Sequence, residues 1–228
     1  MESNIITIDG PTSSGKNSVG FLLARKLGYQ FIDTGMIYRV GTYLVLKNKI
    51  DPEDALKVTD IFKNLIIEIK PTNGELRILS SGEDLTDGLH SKDVTENVSA
   101  VAAIREVREV TKVIQRQLGL SKNIVMTGRD IGSEIFPEAK HKFFLTASVE
   151  VRAKRRFDQL VKLDPNVKYE DVLQSMLVRD KKDSEREVSP LRVPDGAITI
   201  DNSNLSVEET VNKMLDYIHR HAQITNPK

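Results

Sequence analysis

The stretch "ITIDGPTSSGKNS", residues 6–18, restricts the fold more tightly than any other part of the sequence. An apolar run ends at Asp9, Gly10 and Gly15 bracket Pro11, Thr12, Ser13 and Ser14, and Lys16 follows directly. "NIITID" reads as a short buried strand bounded by Gly10. From Ser18 the apolar residues Val19, Leu22, Leu23 and Leu27 fall at helical spacing, with Gly28 where a helix stop is expected. A Gly-x-x-x-x-Gly-Lys turn between strand and helix suits a polyphosphate. Small residues let successive backbone N–H groups wrap the phosphate oxygens, the helix N-terminus faces the same charge, and the lysine adds a point cation. "YQFID" supplies a second strand, so the unit is strand–helix–strand and the core sheet should be parallel. Asn17 follows Lys16 where Ser or Thr is usual, so the hydroxyl that helps hold magnesium is sought at Ser18.

Three further buried strands are expected at "NIVMTG", "KFFLTA" and "AITID". The last precedes a C-terminal helix from Ser206 to about Arg220, with Ser206 and Glu209 placed for a capping box. About ninety residues separate Asp33 from Asn123, too many for one crossover. Inside them, residues 65–79, extending to about 86, alternate apolar and polar around Asn73-Gly74, which predicts a small antiparallel sheet inserted into the α/β core. The 164–171 stretch reads as a mobile surface loop.

Composition narrows the function. Lys plus Arg number 33 and Asp plus Glu number 33, so bulk charge favours neither nucleic-acid polymers nor anionic membranes. There is no cysteine, hence no disulfide and no thiolate ligand or nucleophile. The first residues lack a signal-peptide pattern, and no apolar run approaches the ~18–20 residues of a membrane span, so a soluble, cytoplasmic protein is expected, and a monomer because no interface signature stands out. His219 and His221 sit two residues apart on the last helix, a poor spacing for a shared metal.

A phosphate loop by itself does not choose between kinase, ATPase and GTPase. Other residues collect where parallel sheets bind ligands, at the C-terminal edges of strands. "DTGMIYRVG" ends the second strand with Asp33, Thr34, Tyr38 and Arg39, and "TGRDIG" ends the third with Arg129 and Asp130. "VRDKKDSER" places Arg179, Asp183 and Arg186 at i, i+4, i+7, one helical face carrying cation, carboxylate, cation. "VRAKRRF" opens a helix with Arg152, Arg155 and Arg156. Taken singly, these also read as helix caps, turns and solvated faces.

The order and spacing of "GPTSSGKNS", "DTGMIYR", "TENVSAVAAIREVRE", "TGRDIG", "FFLTASVEVRAKRR" and "RDKKDSEREVSPL" together resemble the cytidylate kinase family over nearly the whole chain. The resemblance implies a single P-loop kinase domain over 1–228. It has a five-stranded parallel sheet flanked by helices, an inserted monophosphate-binding region at 34–122, and a helical lid with its following helix at 150–190. It implies transfer of the γ-phosphoryl of ATP to CMP or dCMP with Mg2+. Gly10, Pro11, Thr12, Ser13, Ser14, Gly15, Lys16, Asn17 and Ser18 would then hold the ATP phosphates, with Ser18 toward the metal and Arg152 and Arg156 closing over ATP. Thr34, Ser99, Arg108 and Asp130 would line the acceptor's base, Arg179 and Asp183 its pentose, and Arg39 and Arg129 its phosphate, with Arg186 nearby. Lys16, Arg129 and Arg156 would stabilise the transferring group. The chain departs from the family at Asn17 and at His90, which stands where an arginine is common. Two other readings stay open: a monophosphate or hydroxy-acid kinase with a different acceptor, and a P-loop regulator that binds nucleotide without transfer.

Overall fold

The computed structural model describes residues 4–72, 75–120, 123–162 and 164–224. They form two compact units, residues 1–33 with 118–228, and residues 34–117.

The first unit is built on five parallel strands, β1 (Ile5–Asp9), β2 (Gln30–Asp33), β6 (Ile124–Gly128), β7 (His141–Thr146) and β8 (Ile198–Asp201), in the order β2-β6-β1-β7-β8. Asp9 of the central strand lies in register with Gly128 and Phe144, so the strand edges carrying the expected site residues are level. Period-two alternation sorts β1 between the two faces of the sheet. Ile6 and Ile8 join a core with Phe143 and Leu145 of β7, Val19 and Leu23 of α1 (Lys16–Leu27), and Val211 and Met214 of α8 (Val207–Ile224). Thr7 and Asp9 point to the opposite face, where a π-helical turn over Ile131–Ile135 packs with Ile124, Met126 and Phe136. Gly20 lets α1 settle on the sheet, because a Cβ there would lie 2.7 Å from Thr127 Cγ2 and 2.9 Å from Phe31 Cε2.

The predicted boundaries hold closely. Gly28 closes α1 in the left-handed conformation at φ 68°, its N–H donating to the Ala24 and Arg25 carbonyls. The Ser206–Glu209 capping box forms, with Ser206 N donating to Glu209 Oε2 at 2.8 Å and Glu209 N to Ser206 Oγ at 3.2 Å. The remaining helices of this unit are α6 (Val149–Leu160), capped by Ser148, and α7 (Tyr169–Glu185). One reading needs correction. α7 ends at Glu185 and Arg186 is extended, so only Arg179 and Asp183 share the helical face. The 164–171 stretch also shortens as a loop, since α7 begins at Tyr169.

The second unit packs α2 (Gly35–Lys47), α3 (Ala55–Lys63), α4 (Lys92–Val101) and most of α5 (Arg105–Gly119) around Val45, Val58, Phe62, Val98 and Val107. Its antiparallel sheet is β3 (Glu68–Thr72), β4 (Glu75–Ser80) and β5 (Glu83–Asp84). The proposed Asn73-Gly74 turn lies outside the described residues.

Candidate active site

The loop at residues 10–15 leaves β1 and enters α1. A Cβ on Gly10 would lie 2.1 Å from the Leu145 carbonyl oxygen, so only glycine passes under β7. Ser13 holds φ 56°, a left-handed conformation that is costly for a side-chain residue and concentrates at ligand sites. Three loop carbonyls are occupied by side-chain donors. Lys16 Nζ donates to Pro11 O at 2.8 Å, Arg152 Nη1 to Thr12 O at 3.3 Å, and Asn202 Nδ2 to Ser14 O at 2.9 Å. The polarity left for a ligand is then that of the backbone N–H groups, which bind anions. The buried Ser14 hydroxyl has no hydrogen-bond partner among the described residues.

Asn17, which breaks the usual loop pattern, is tied to both neighbouring strand ends. Its Nδ2 donates to Asp33 Oδ2 at 2.6 Å, and its Oδ1 accepts from Thr127 Oγ1 at 3.0 Å. Ser18 is exposed on the first turn of α1. No cluster of three or more His, Cys, Asp or Glu side chains able to hold a metal occurs among the described residues. The oxygens present are a hydroxyl at Ser18, an amide at Asn17 and a carboxylate at Asp33. That sparse, hard set fits Mg2+, which keeps several waters and leans on substrate phosphates rather than on a protein cage.

Charged side chains surround Lys16. Burial is the main influence pushing its amine well below the ordinary lysine range, and the Arg129 and Arg179 cations push the same way, against Asp33 and Asp183. Arg129 Nε donates to Asp183 Oδ2 at 2.9 Å, and Arg186 Nη2 lies 3.8 Å from Asp130 Oδ1, both of those side chains being 6% exposed. Burial is the largest single influence on Asp183 and raises it. The charges of Arg129, Arg179 and Arg186, with the Arg129 hydrogen bond, together outweigh burial and hold the carboxyl below its usual range. Arg186 Nε donates to Ser189 O at 2.7 Å, fixing the turn after α7.

The α6 arginines are placed differently from one another. Arg152 is buried, its Nε donating to Ala147 O at 3.0 Å and its Nη1 pairing with Asp180 Oδ2 at 2.6 Å as well as meeting Thr12 O. Arg155 donates to Asn202 twice, Nη1 to Oδ1 at 3.0 Å and Nη2 to the carbonyl at 2.8 Å. Arg156 is half-buried and donates to Gln159 Oε1 at 3.3 Å.

The second unit orders its own polar set. Thr34 is buried at the N-terminus of α2. Arg39 Nη1 donates to Leu89 O at 2.9 Å and to Thr95 Oγ1 at 3.2 Å, beside the exposed His90. Arg108 is buried, donates from Nη1 to Ala102 O at 3.0 Å and lies 5.7 Å over the Tyr38 ring. The Tyr38 hydroxyl in turn hydrogen-bonds Thr111 Oγ1 at 2.8 Å. Ser99 is half-buried on α4.

The structure adds three residues that sequence reasoning missed: Asp9, Asp180 and Asn202. Asp180 stood inside "VRDKKDSER", but its partner Arg152 lies 28 positions away and nothing local announces the pair. Asn202 reads as an ordinary turn residue after β8. Asp9 had a signal, since a carboxylate on the buried central strand must find partners.

A profile of the cytidylate kinase family matches residues 6–220. A cytidylate kinase of Caldicellulosiruptor bescii is 42% identical over 220 residues, covering 96% of this chain and 97% of that protein. One from Bacillus licheniformis is 42% identical over 225 residues, covering 98% and 100%. A solved structure of an uncharacterized protein from Eubacterium ventriosum superimposes with a TM-score of 0.51 at 15% identity, covering 96% of this chain and 99% of that one, a likeness of fold alone. With a phosphate loop on the expected strand and a matching family profile along nearly its full length, the chain belongs to the cytidylate kinase family.

Proposed function

We propose that the protein transfers the γ-phosphoryl group of ATP to CMP or dCMP, giving ADP and CDP or dCDP. The observation that carries this reading is geometric: one compact unit holds both the phosphate loop, with Lys16 Nζ on the Pro11 carbonyl at 2.8 Å, and the acceptor-assigned pair Arg129–Asp183 at 2.9 Å. A phosphate oxygen of the acceptor attacks the γ-phosphorus, and the bond from that phosphorus to the β–γ bridging oxygen breaks. The attacking oxygen is already ionised near neutral pH, so no strong base is required. The barrier is the approach of two anions, and cations held in place beforehand lower it.

On this reading the N–H groups of residues 10–18 and the Lys16 ammonium take the β- and γ-phosphates. Arg129 takes the acceptor phosphate, with Arg39 and Arg186 as further cations, and Arg156 faces the transferring group. Ser18 would hold Mg2+ with the ATP phosphates, and the ion would neutralise charge on the β- and γ-oxygens. Arg179 and Asp183 are assigned to the pentose. Asp130 accepts from the cytosine amino group, while Thr34, Ser99 and Arg108 donate to the ring nitrogen and carbonyl. Uracil offers a carbonyl where cytosine has its amino group, and a buried carboxylate facing it would discriminate strongly. Arg186 Nη2 lies 3.8 Å from Asp130 Oδ1, so the carboxylate assigned to the base sits beside a cation assigned to the acceptor. Arg152 serves ATP through the loop carbonyl that it holds.

The test is acceptor-dependent ADP release at fixed ATP and Mg2+, comparing CMP, dCMP, UMP, AMP and GMP, with Lys16→Ala as control. Turnover with CMP and dCMP, lost in the control, is the expected result. Preference for another acceptor would overturn the base assignment, and ATP binding without transfer to any acceptor would overturn the kinase reading.

A further inference from the structure

The carboxylate of Asp9 is fully buried at the end of the central strand, and it is spent on backbone. Its Oδ1 accepts from Ile131 N at 2.8 Å and its Oδ2 from Gly132 N at 2.7 Å. Those are the first two amides of the π-helical turn that directly follows Arg129 and Asp130. π-helical turns place backbone groups off the ordinary helical ladder, and they recur at functional sites. Here the first N–H groups would otherwise be buried orphans. Gly132 is fitted to the contact, since a Cβ would stand 2.8 Å from Thr7 Oγ1 and 3.2 Å from Asp9 Oδ2.

We infer that Asp9 is a positioning residue for acceptor recognition, its ionised carboxylate clamping the turn that aims Arg129 and Asp130. It touches neither substrate. This inference rests on the assignment of Arg129 and Asp130 to the acceptor. The clamp needs both oxygens as strong acceptors, whereas protonation turns one of them into an O–H donor and a weak acceptor. The charged groups facing Asp9 are Asp130, which disfavours its ionisation, and Lys16, which favours it. Burial is the largest influence and pushes its pKa up to about 7, against the two backbone donors. The clamp therefore loosens within the pH range in which the enzyme can be assayed.

Steady-state kinetics of wild type and Asp9→Asn from pH 6 to 8 test this. Asparagine keeps the shape but turns an N–H donor toward one of the two amides. At pH 8 the variant should show an acceptor KM raised about 10-fold, the loss of one hydrogen bond, with ATP KM within about twofold of wild type. Wild type should approach the variant as the pH falls to 6, while the variant's acceptor KM changes less. An unchanged acceptor KM at pH 8, equal loss toward both substrates, or identical pH profiles would overturn the inference. Asp130→Asn separates the two levels. If it leaves CMP-over-UMP preference intact, the acceptor assignment falls and this inference with it; if it acts while Asp9→Asn is silent, only the clamp falls. Should Asp9→Asn not fold, amide shifts of Ile131 and Gly132 in the wild-type protein decide. They should titrate together between pH 6 and 8, and flat shifts would overturn the clamp.

Discussion

Asn202 illustrates how one side chain can serve the loop from outside it. Its amide nitrogen holds the Ser14 carbonyl while its amide oxygen receives Arg155. Asn202→Asp separates these functions: the carboxylate still accepts from Arg155 but repels the Ser14 carbonyl. ATP KM should rise about 10-fold, the worth of one hydrogen bond, with acceptor KM little changed; Asn202→Ala, which also frees Arg155, should cost at least as much. Lys16 supports a second prediction. Its amine is held below the ordinary range by burial and by Arg129 and Arg179. Phosphate oxygens favour its charged form, so nucleotide binding should take up protons. Titration calorimetry in buffers of differing ionisation enthalpy would measure this uptake, and Lys16→Met should abolish it. His90 supports a third. Beside Arg39 and exposed, it should change acceptor KM between pH 6 and 8 if it meets the acceptor phosphate, and His90→Arg should remove that component. These residues differ in how readable they were. Lys16 and His90 sit inside short patterns with fixed spacing. Asn202, Asp180 and Asp9 act through partners brought close only by the fold, and a residue whose job is to hold another's backbone leaves no spacing to find.

Elements were more legible than individual contacts, for physical reasons that differ between them. β1 and β6 are buried on both faces and therefore appear as largely apolar runs, while β7 buries Phe143 and Leu145 on one face and leaves its alternate residues half-buried. α1 and α8 show helical spacing because each buries one stripe on the sheet, and Gly28 and Ser206 mark where they end and begin. The π-helical turn after Asp130 had no such mark. It is set by the Asp9 carboxylate and by packing of Ile131, Ile135 and Phe136, both non-local. The end of α7 was misread because Arg186 continues the charge pattern after the backbone has turned extended. Charge spacing reports a face only while the helix lasts. The tight seat of α1 gives an element-scale prediction. Gly20→Val would drive a branched side chain into Thr127 and Phe31, at a cost of about 1–3 kcal/mol, read as a lower urea midpoint with unchanged m-value.

For the whole molecule, the buried carboxylates set opposite trends of stability with pH, in separate windows. Asp183 has its pKa depressed in the folded state. Its stabilisation is present above the unfolded value near 4 and is lost only as the pH falls below it, toward the folded pKa. Asp9 has its pKa raised to about 7. Between about pH 4 and 7 the folded chain therefore holds a proton that the unfolded chain has released. Stability falls as pH rises through this window and levels off above it. The interval from pH 5 to 8 thus isolates Asp9 from Asp183. Across it the charge on Asp9 should cost wild type about 2–3 kcal/mol relative to Asp9→Asn, which cannot ionise. Urea unfolding of both proteins at pH 5 and pH 8 measures this difference, and titrations common to both cancel. A stability gap independent of pH would mean that the Ile131 and Gly132 amides solvate the carboxylate as well as water does. The charge would then be free of cost to the fold, and acceptor KM would lose its dependence on Asp9 protonation above pH 6. A shift of about 2–3 kcal/mol in favour of wild type from pH 8 to pH 5 would show that the central strand retains a charge at a cost in stability, as expected of a residue kept for the turn it holds rather than for the core in which it sits.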